Sequence, residues 1–428
     1  MLDPNQIRPH FPALSRAHNG QPLVYLDGPG GTQVTRWCID AIVDYLSRCN
    51  ANHGGAFVTS VESDAIVHEA HEVMADFLNA ARGEEIIFGQ NMTSLTFAIS
   101  RSIGQTLQAG DEIILTRLDH DANYSPWHLM AQDRGAIVRV VDINPDDCTL
   151  NMDDFERFLG PRTKLVAVGY ASNAVGAINP VKQIIGMAQA AGALTYIDAV
   201  HYAPHGPIDV QELGCDFLAC SPYKFFAPHL GTLYGRHELL ESLPAFKVRP
   251  ADARPPHKFE TGTQSHESMA GLVGTMQYLE WLGNTDTARA FPADDPGRYR
   301  SSRSATLHRA MRAIQDYEHA LKTRLLDGLQ RIPGVRIYGI TDPARLDQRA
   351  PTFAIRVAGI HPRDIAQQLA ARGICVWDGN YYALNLTERL DVESSGGMVR
   401  IGPVHYNTPA EIDRLLAALE QITAAQRA

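Results

Sequence analysis

Cysteine is scarce in this 428-residue chain, occurring only at Cys38, Cys49, Cys148, Cys215, Cys220 and Cys375. The six form no C-x-x-C pair and show no zinc-ligand spacing. This argues against a disulfide scaffold or a zinc module and predicts buried or free thiols in a reducing compartment. No apolar stretch approaches the roughly 20 residues that a membrane-spanning helix needs. The segment up to Arg16 has no basic stretch followed by an apolar run, so no secretory leader is predicted and the expected location is cytoplasmic. Positive charge is in deficit: 38 Lys and Arg stand against 48 Asp and Glu, a formal net charge of −10. A nucleic-acid binder needs a basic face for phosphates, so that class is disfavoured. No Gly-rich fingerprint follows the first strand, which disfavours a nucleotide-dependent Rossmann protein. Internal repeats and low-complexity tracts are missing too.

What remains is ordinary globular composition, 45% hydrophobic and 20% charged. The length calls for a large domain, read over residues 20–300, and a smaller one over 305–428, with residues 1–19 packing on the latter. Short apolar runs alternate with helical patterns. The strands expected are Glu85–Gly89, Asp111–Thr116, Ile137–Val141, Leu165–Tyr170, Leu194–Asp198, Phe217–Ser221 and Gly231–Gly235. Such alternation predicts an α/β fold with a mostly parallel seven-stranded sheet covered by helices on both faces. Residues 284–304 are polar and read as a surface excursion, followed by a connecting helix over 305–331. The smaller, α+β domain has expected strands Val335–Tyr338, Thr352–Val357 and Cys375–Trp377, and a final helix over 409–423.

Three strand ends fall on one edge of the predicted sheet, where open parallel sheets bind ligands. Asp198 ends one strand. Ser221 ends another, with Lys224 three residues on, and Thr93 and Ser94 follow a third at a helix start. Taken singly, each has a plainer reading: the Asp as a helix cap, the Lys as a solvated side chain, the Thr-Ser pair as another cap. Taken together, they fit pyridoxal 5′-phosphate (PLP). A lysine amine forms a Schiff base with its aldehyde, a carboxylate keeps the pyridine nitrogen protonated, and a helix N-terminus with hydroxyls holds the phosphate.

Those same segments resemble the class V aminotransferase family, most of all its cysteine desulfurase and selenocysteine lyase branch, from Tyr25-Leu26-Asp27 to about Asn407-Thr408. The resemblance implies a fold-type-I PLP-dependent transferase. Tyr196-Ile197-Asp198-Ala199-Val200-His201 resembles the strand bearing the pyridine-nitrogen aspartate, with His201 near the phenolic oxygen. Asp216 to Lys224 resembles the Schiff-base lysine motif, with Ser221 and Tyr223 as phosphate contacts. Leu118-Asp119-His120-Asp121-Ala122-Asn123 resembles the run whose histidine, here His120, stacks on the cofactor ring. Ser172-Asn173 resembles a pair that puts Asn173 beside cofactor and substrate. Gln90-Asn91-Met92-Thr93 resembles the phosphate loop less closely, which makes Met92 and Thr93 cofactor contacts. Phe259-Glu260-Thr261-Gly262-Thr263 resembles a motif whose threonine reaches the neighbouring subunit's phosphate, so Thr263 implies a homodimer with shared active sites. Val399-Arg400-Ile401-Gly402 resembles the segment whose arginine binds the substrate carboxylate.

Two stretches depart from the family pattern. Tyr382 stands about where the desulfurases carry the mobile cysteine that accepts sulfur, and a phenol does not take up a sulfane sulfur as a thiolate does. Asn52-His53-Gly54-Gly55 stands where relatives have His-Arg-Gly, which puts His53 near the expected substrate entrance. Trp377, Asp378, Tyr381 and Tyr382 then predict a bulkier, more aromatic wall. The expected activity is PLP-dependent chemistry on the Cα-amino group of an amino or keto acid. Catalysis rests on Lys224, Asp198 and His120, and substrate contacts on Arg400, Asn173, His53 and Tyr382; no metal is expected. Transamination and β-elimination, such as C–S cleavage, both remain open. Racemisation, true persulfide formation and a non-catalytic binding protein rank below them.

Overall fold

Aliphatic and β-branched runs build the central sheet of this computed structural model, which describes residues 1–291 and 296–426. Its strands are β1 (Ile86–Gly89), β2 (Glu112–Thr116), β3 (Ile137–Val141), β4 (Thr163–Gly169), β5 (Leu194–Asp198), β6 (Phe217–Cys220) and β7 (Gly231–Gly235). Their order across the seven-stranded sheet is β1-β7-β6-β5-β4-β2-β3. Only β7 runs antiparallel to its neighbours β1 and β6. All residues of β2, β6 and β7 are buried, as a sheet covered on both faces requires. The sheet is thus α/β and mostly parallel, as expected, and three strands have the bounds read from sequence.

A second sheet of four antiparallel strands follows: β8 (Val335–Tyr338), β9 (Phe353–Val357), β10 (Trp377–Gly379) and β11 (Met398–Ile401), in the order β8-β9-β11-β10. The predicted strand Cys375–Trp377 is split. Ile374–Cys375 pairs in parallel with Val24–Tyr25, whereas Trp377–Gly379 pairs with β11. Two partners on different sides compete for one run, and local pattern does not reveal which half goes to which.

The excursion over 284–304 also differs from expectation, although residues 292–295 lie outside the described residues. Arg300 pairs with Glu72 at 2.6 Å and Arg303 with Asp76 at 2.5 Å. Ser301 donates to Asp76 at 2.7 Å and caps α1 (Ser302–Arg331) through the Ser304 N–H. The polar composition serves ion pairs around the buried Asp76 rather than solvent. At the N-terminus, Phe11 packs on Phe226, Tyr278 and Tyr406, and Arg8 pairs with Glu411 at 2.9 Å. Among the described residues no helix is long and apolar enough to cross a membrane, and no cluster of His, Cys, Asp or Glu is placed to hold a metal ion.

Candidate active site

Every strand of the large sheet except β7 ends on one edge, and a cavity of about 1080 Å³ opens there. It is lined by Met92, Thr93, His120, Asn173, Asp198, His201, Ser221, Tyr223, Lys224, Tyr382 and Arg400, all named from sequence.

Lys224 lies in the turn Pro222–Lys224 directly after β6, and its Nζ donates to the Pro29 carbonyl. Burial, with the Arg400 charge adding to it, lowers this amine to about 7. It is therefore substantially neutral, hence nucleophilic, at neutral pH. Asp198, the last residue of β5, accepts from Val200 N–H at 2.9 Å, and burial pushes its carboxyl up to about 6. The adjacent, fully packed Asp119 is driven up to about 7 by burial, despite bonds from Thr116 at 2.5 Å and Asn123 at 3.0 Å.

His120 Nδ1 accepts from Ala122 N–H at 3.0 Å, and burial, then the charges of Lys224 and Arg400, pull the ring down to about 4. The neutral imidazole stacks on Tyr382, centroids 5.5 Å apart and planes 23° off parallel. His201 is likewise held neutral by burial and bonds Thr352 Oγ1 at 3.0 Å. Met92 and Thr93 open the helix Met92–Gly104. Asn91 caps that helix through Ser94 N–H at 2.8 Å, and the remaining first-turn N–H groups have no helical acceptor. At Gly231 in β7 a side chain would lie within 2.7 Å of the Asn91 and Met92 backbone, so only glycine lets the strand approach this helix start. Ser221 is buried at the end of β6, and Tyr223 stacks on His229 at 4.8 Å.

Arg400, on β11, is 5% exposed. It donates to the Asn173 carbonyl at 3.1 Å, lies 3.7 Å from Asp27 and sits 4.4 Å over the Tyr381 ring. Asn173 donates to the Tyr381 carbonyl at 2.8 Å. Asn173 Oδ1 and Arg400 Nε are both buried without a protein partner. Buried polar atoms left open in a cavity mark where a ligand's polar groups belong. An amine near neutrality, a carboxyl raised enough to welcome a cationic nitrogen, a flat neutral ring and a helix N-terminus together fit PLP.

Two expected residues stay outside the cavity. The His53 side chain is 70% exposed and 4.0 Å from Asp64. Thr263 is exposed, next to Gly262 at φ 76°. The motif that carries Thr263 is tied down by Glu260, which is buried and accepts from Phe88 N–H at 2.9 Å, His71 at 2.8 Å and His257 at 3.1 Å. Sequence reading overlooked Asp27. Its carboxylate links Arg400 to Trp377 Nε1 at 2.6 Å, and burial raises it. The sequence does carry a signal for it: one acid between an apolar run and Gly28-Pro29-Gly30-Gly31, where a side chain at Gly30 would collide with that carboxylate. No cysteine lines the cavity among the described residues, and Cys375 is held in its short strand with its thiol raised by burial.

The aminotransferase class-V family model matches residues 24–291 and 306–415. A cysteine desulfurase of Serratia proteamaculans is 34% identical over 97% of both chains, and a probable cysteine desulfurase of Streptomyces coelicolor is 33% identical over 99% of this chain and 97% of its own. The apo structure of a cysteine desulfurase from Thermococcus onnurineus superposes with a TM-score of 0.86 at 26% identity, covering 99% of each chain. A cysteine desulfurase from Escherichia coli superposes at 0.82 and 27% identity, again over 99% of each. The chain belongs to the aminotransferase class-V family and is a PLP-dependent enzyme of fold type I.

Proposed function

We propose that this enzyme binds an α-amino acid by its carboxylate at Arg400 and removes its Cα proton with the Lys224 amine. When bound, PLP supplies an electron-withdrawing ring that stabilises negative charge at the substrate Cα. Asp198 keeps the cofactor nitrogen protonated. The neutral His120 covers one ring face and excludes water, and Met92, Thr93, Ser221 and Tyr223 hold the phosphate. Arg400 makes a charge-assisted contact to the carboxylate, and Asn173 Oδ1 accepts from the ligand. The observation that carries this reading is the desolvated amine of Lys224, held near 7 in a cavity shared with Arg400 and Asp198. An amine at that value is matched to taking and returning a proton at neutral pH.

The outcome proposed first is amino transfer. A second reading, β-elimination from a cysteine-type substrate, is favoured by the relatives named as cysteine desulfurases. Persulfide formation on the protein ranks last, because the cavity wall offers no thiol to receive sulfur. A homodimer in the cytoplasm completes the proposal. Thr263 is exposed and does not line its own cavity, Val43, Phe57, Val58 and Val61 are exposed apolar side chains, and all six cysteines are free. Absorbance during addition of single amino acids, with assays for keto acid, pyruvate, ammonia and sulfide, tests the reading. A stable pyridoxamine form with stoichiometric keto acid means amino transfer. Catalytic pyruvate and ammonia mean β-elimination. Alanine with persulfide from cysteine contradicts the ranking.

A further inference from the structure

We infer that the outer half of the cavity is a subsite for a planar aromatic side chain, and that the amino-acid substrate belongs to that class. This rests on the reading of the inner half as an amino-acid site. The first ground is space. About 1080 Å³ lies just above the roughly 300–1,000 Å³ typical of small-molecule sites, so the cavity has room beyond a single bound cofactor.

The second ground is the surface that bounds this space. Tyr382 is 73% exposed and Trp377 51% exposed, and both line the cavity. Scattered exposed aromatics need no explanation, but two large rings bared to one cavity offer faces for another ring.

The third ground is preorganisation. Tyr381 and Tyr382 both adopt left-handed backbone conformations, φ 56° and 58°. The turn is pinned from the cavity side by Asn173 to the Tyr381 carbonyl at 2.8 Å and by Asp121 N–H to the Tyr382 carbonyl at 2.7 Å. The Tyr381 hydroxyl donates to the Met398 carbonyl, and Trp377 Nε1 is fixed on Asp27 at 2.6 Å. The Trp377 ring is therefore held through its Nε1, and the Tyr382 ring is carried on a pinned backbone and stacked on His120. A fixed ring binds a planar partner with little ordering cost.

The fourth ground is continuity. Tyr382 stacks on His120, and Trp377 reaches Arg400 through Asp27. The subsite thus adjoins both the ring-stacking histidine and the carboxylate anchor. A small polar side chain would leave both rings bare.

Equilibrium titration of the PLP-loaded enzyme with analogues lacking a Cα proton tests this, with the cofactor absorbance as readout. The probes are α-methylphenylalanine, α-methyltryptophan and 2-aminoisobutyrate. The aromatic analogues are expected to bind at least tenfold more tightly than 2-aminoisobutyrate. Tyr382→Ala and Trp377→Ala should each shrink that ratio about three- to tenfold, and Tyr382→Phe should keep it. Equal affinities for all three analogues, or an undiminished ratio in both alanine variants, would overturn the subsite while leaving the amino-acid site standing. If none of the analogues shifts the absorbance, the amino-acid reading falls and the subsite falls with it.

Discussion

The two walls of the cavity differ in how they are made. The inner wall is supplied by the ends of β5 and β6, which are buried over all but one residue, and by the start of the helix Met92–Gly104. The outer wall is supplied by β10 and the turn after it, a short strand at the edge of the four-stranded sheet. The inner wall carries Lys224, Asp198, His120 and the helix start proposed to hold the cofactor, and the outer wall carries Trp377, Tyr381 and Tyr382, the stretch that the sequence reading sets apart from the family resemblance. On the function proposed above, the sheet edge fixes the chemistry and the small-sheet turn sets what the chemistry is applied to. Arg400, on β11, joins the two walls, with Asp27 as its bridge to Trp377.

That division predicts a graded set of effects. Lys224→Ala removes both the cofactor anchor and the base, so kcat should fall by about 10³-fold or more, against less than about tenfold for Tyr382→Ala on alanine. Comparable losses in the two variants would break the division between the walls. Next in size, Arg400→Leu removes a buried charged donor at an expected cost of about 2–4 kcal/mol, roughly 30- to 1000-fold in kcat/KM and seen mainly in KM. A loss confined to kcat would mean that Arg400 does not anchor the substrate.

Asp198→Asn should lower kcat by about 10- to 100-fold and weaken cofactor retention on dialysis, the effect of neutralising one charge-assisted hydrogen bond. An unchanged spectrum and kcat would remove Asp198 from the inner wall. Asp27→Asn is expected to be milder, below about tenfold, because the isosteric amide keeps an acceptor oxygen for Trp377 and the packing beside Arg400. Its signature is a loss shared between KM and aromatic preference, since Asp27 touches both walls.

The last effect is one of pH. The Lys224 amine is lowered to about 7, so its neutral form dominates above 7 and declines about tenfold per pH unit below it. Uptake of PLP by cofactor-free enzyme should therefore rise with pH and level off just above 7. A rate still climbing toward pH 10 would mean that the amine is not desolvated as described.

Much of this architecture is legible in the amino-acid sequence. The bounds of β3, β5 and β7 follow from apolar runs that end in turn residues, and the long helix after residue 301 follows from its periodicity. The cavity collects every residue named for it except His53 and Thr263. Both of those lie on exposed segments of the single chain, which strand and helix periodicity do not position. The split of Cys375–Trp377 is hidden because strand propensity does not choose a partner. Asp27 is hidden because its role depends on Arg400 and Trp377, each more than 340 positions away in the chain. The arginines of residues 298–303 read as solvent-facing, yet Arg300 and Arg303 pair with acids of the helix Val58–Leu78, which composition does not reveal.

The central claim is that Lys224 moves a proton at the substrate Cα. Exchange of that proton for deuterium, followed by NMR in D₂O with phenylalanine and with alanine, addresses it most directly. The account predicts steady loss of the Cα–H signal with PLP-loaded enzyme and none above background with Lys224→Ala loaded with the same cofactor. Exchange that persists in Lys224→Ala, or its absence in an enzyme whose absorbance responds to both amino acids, would contradict it.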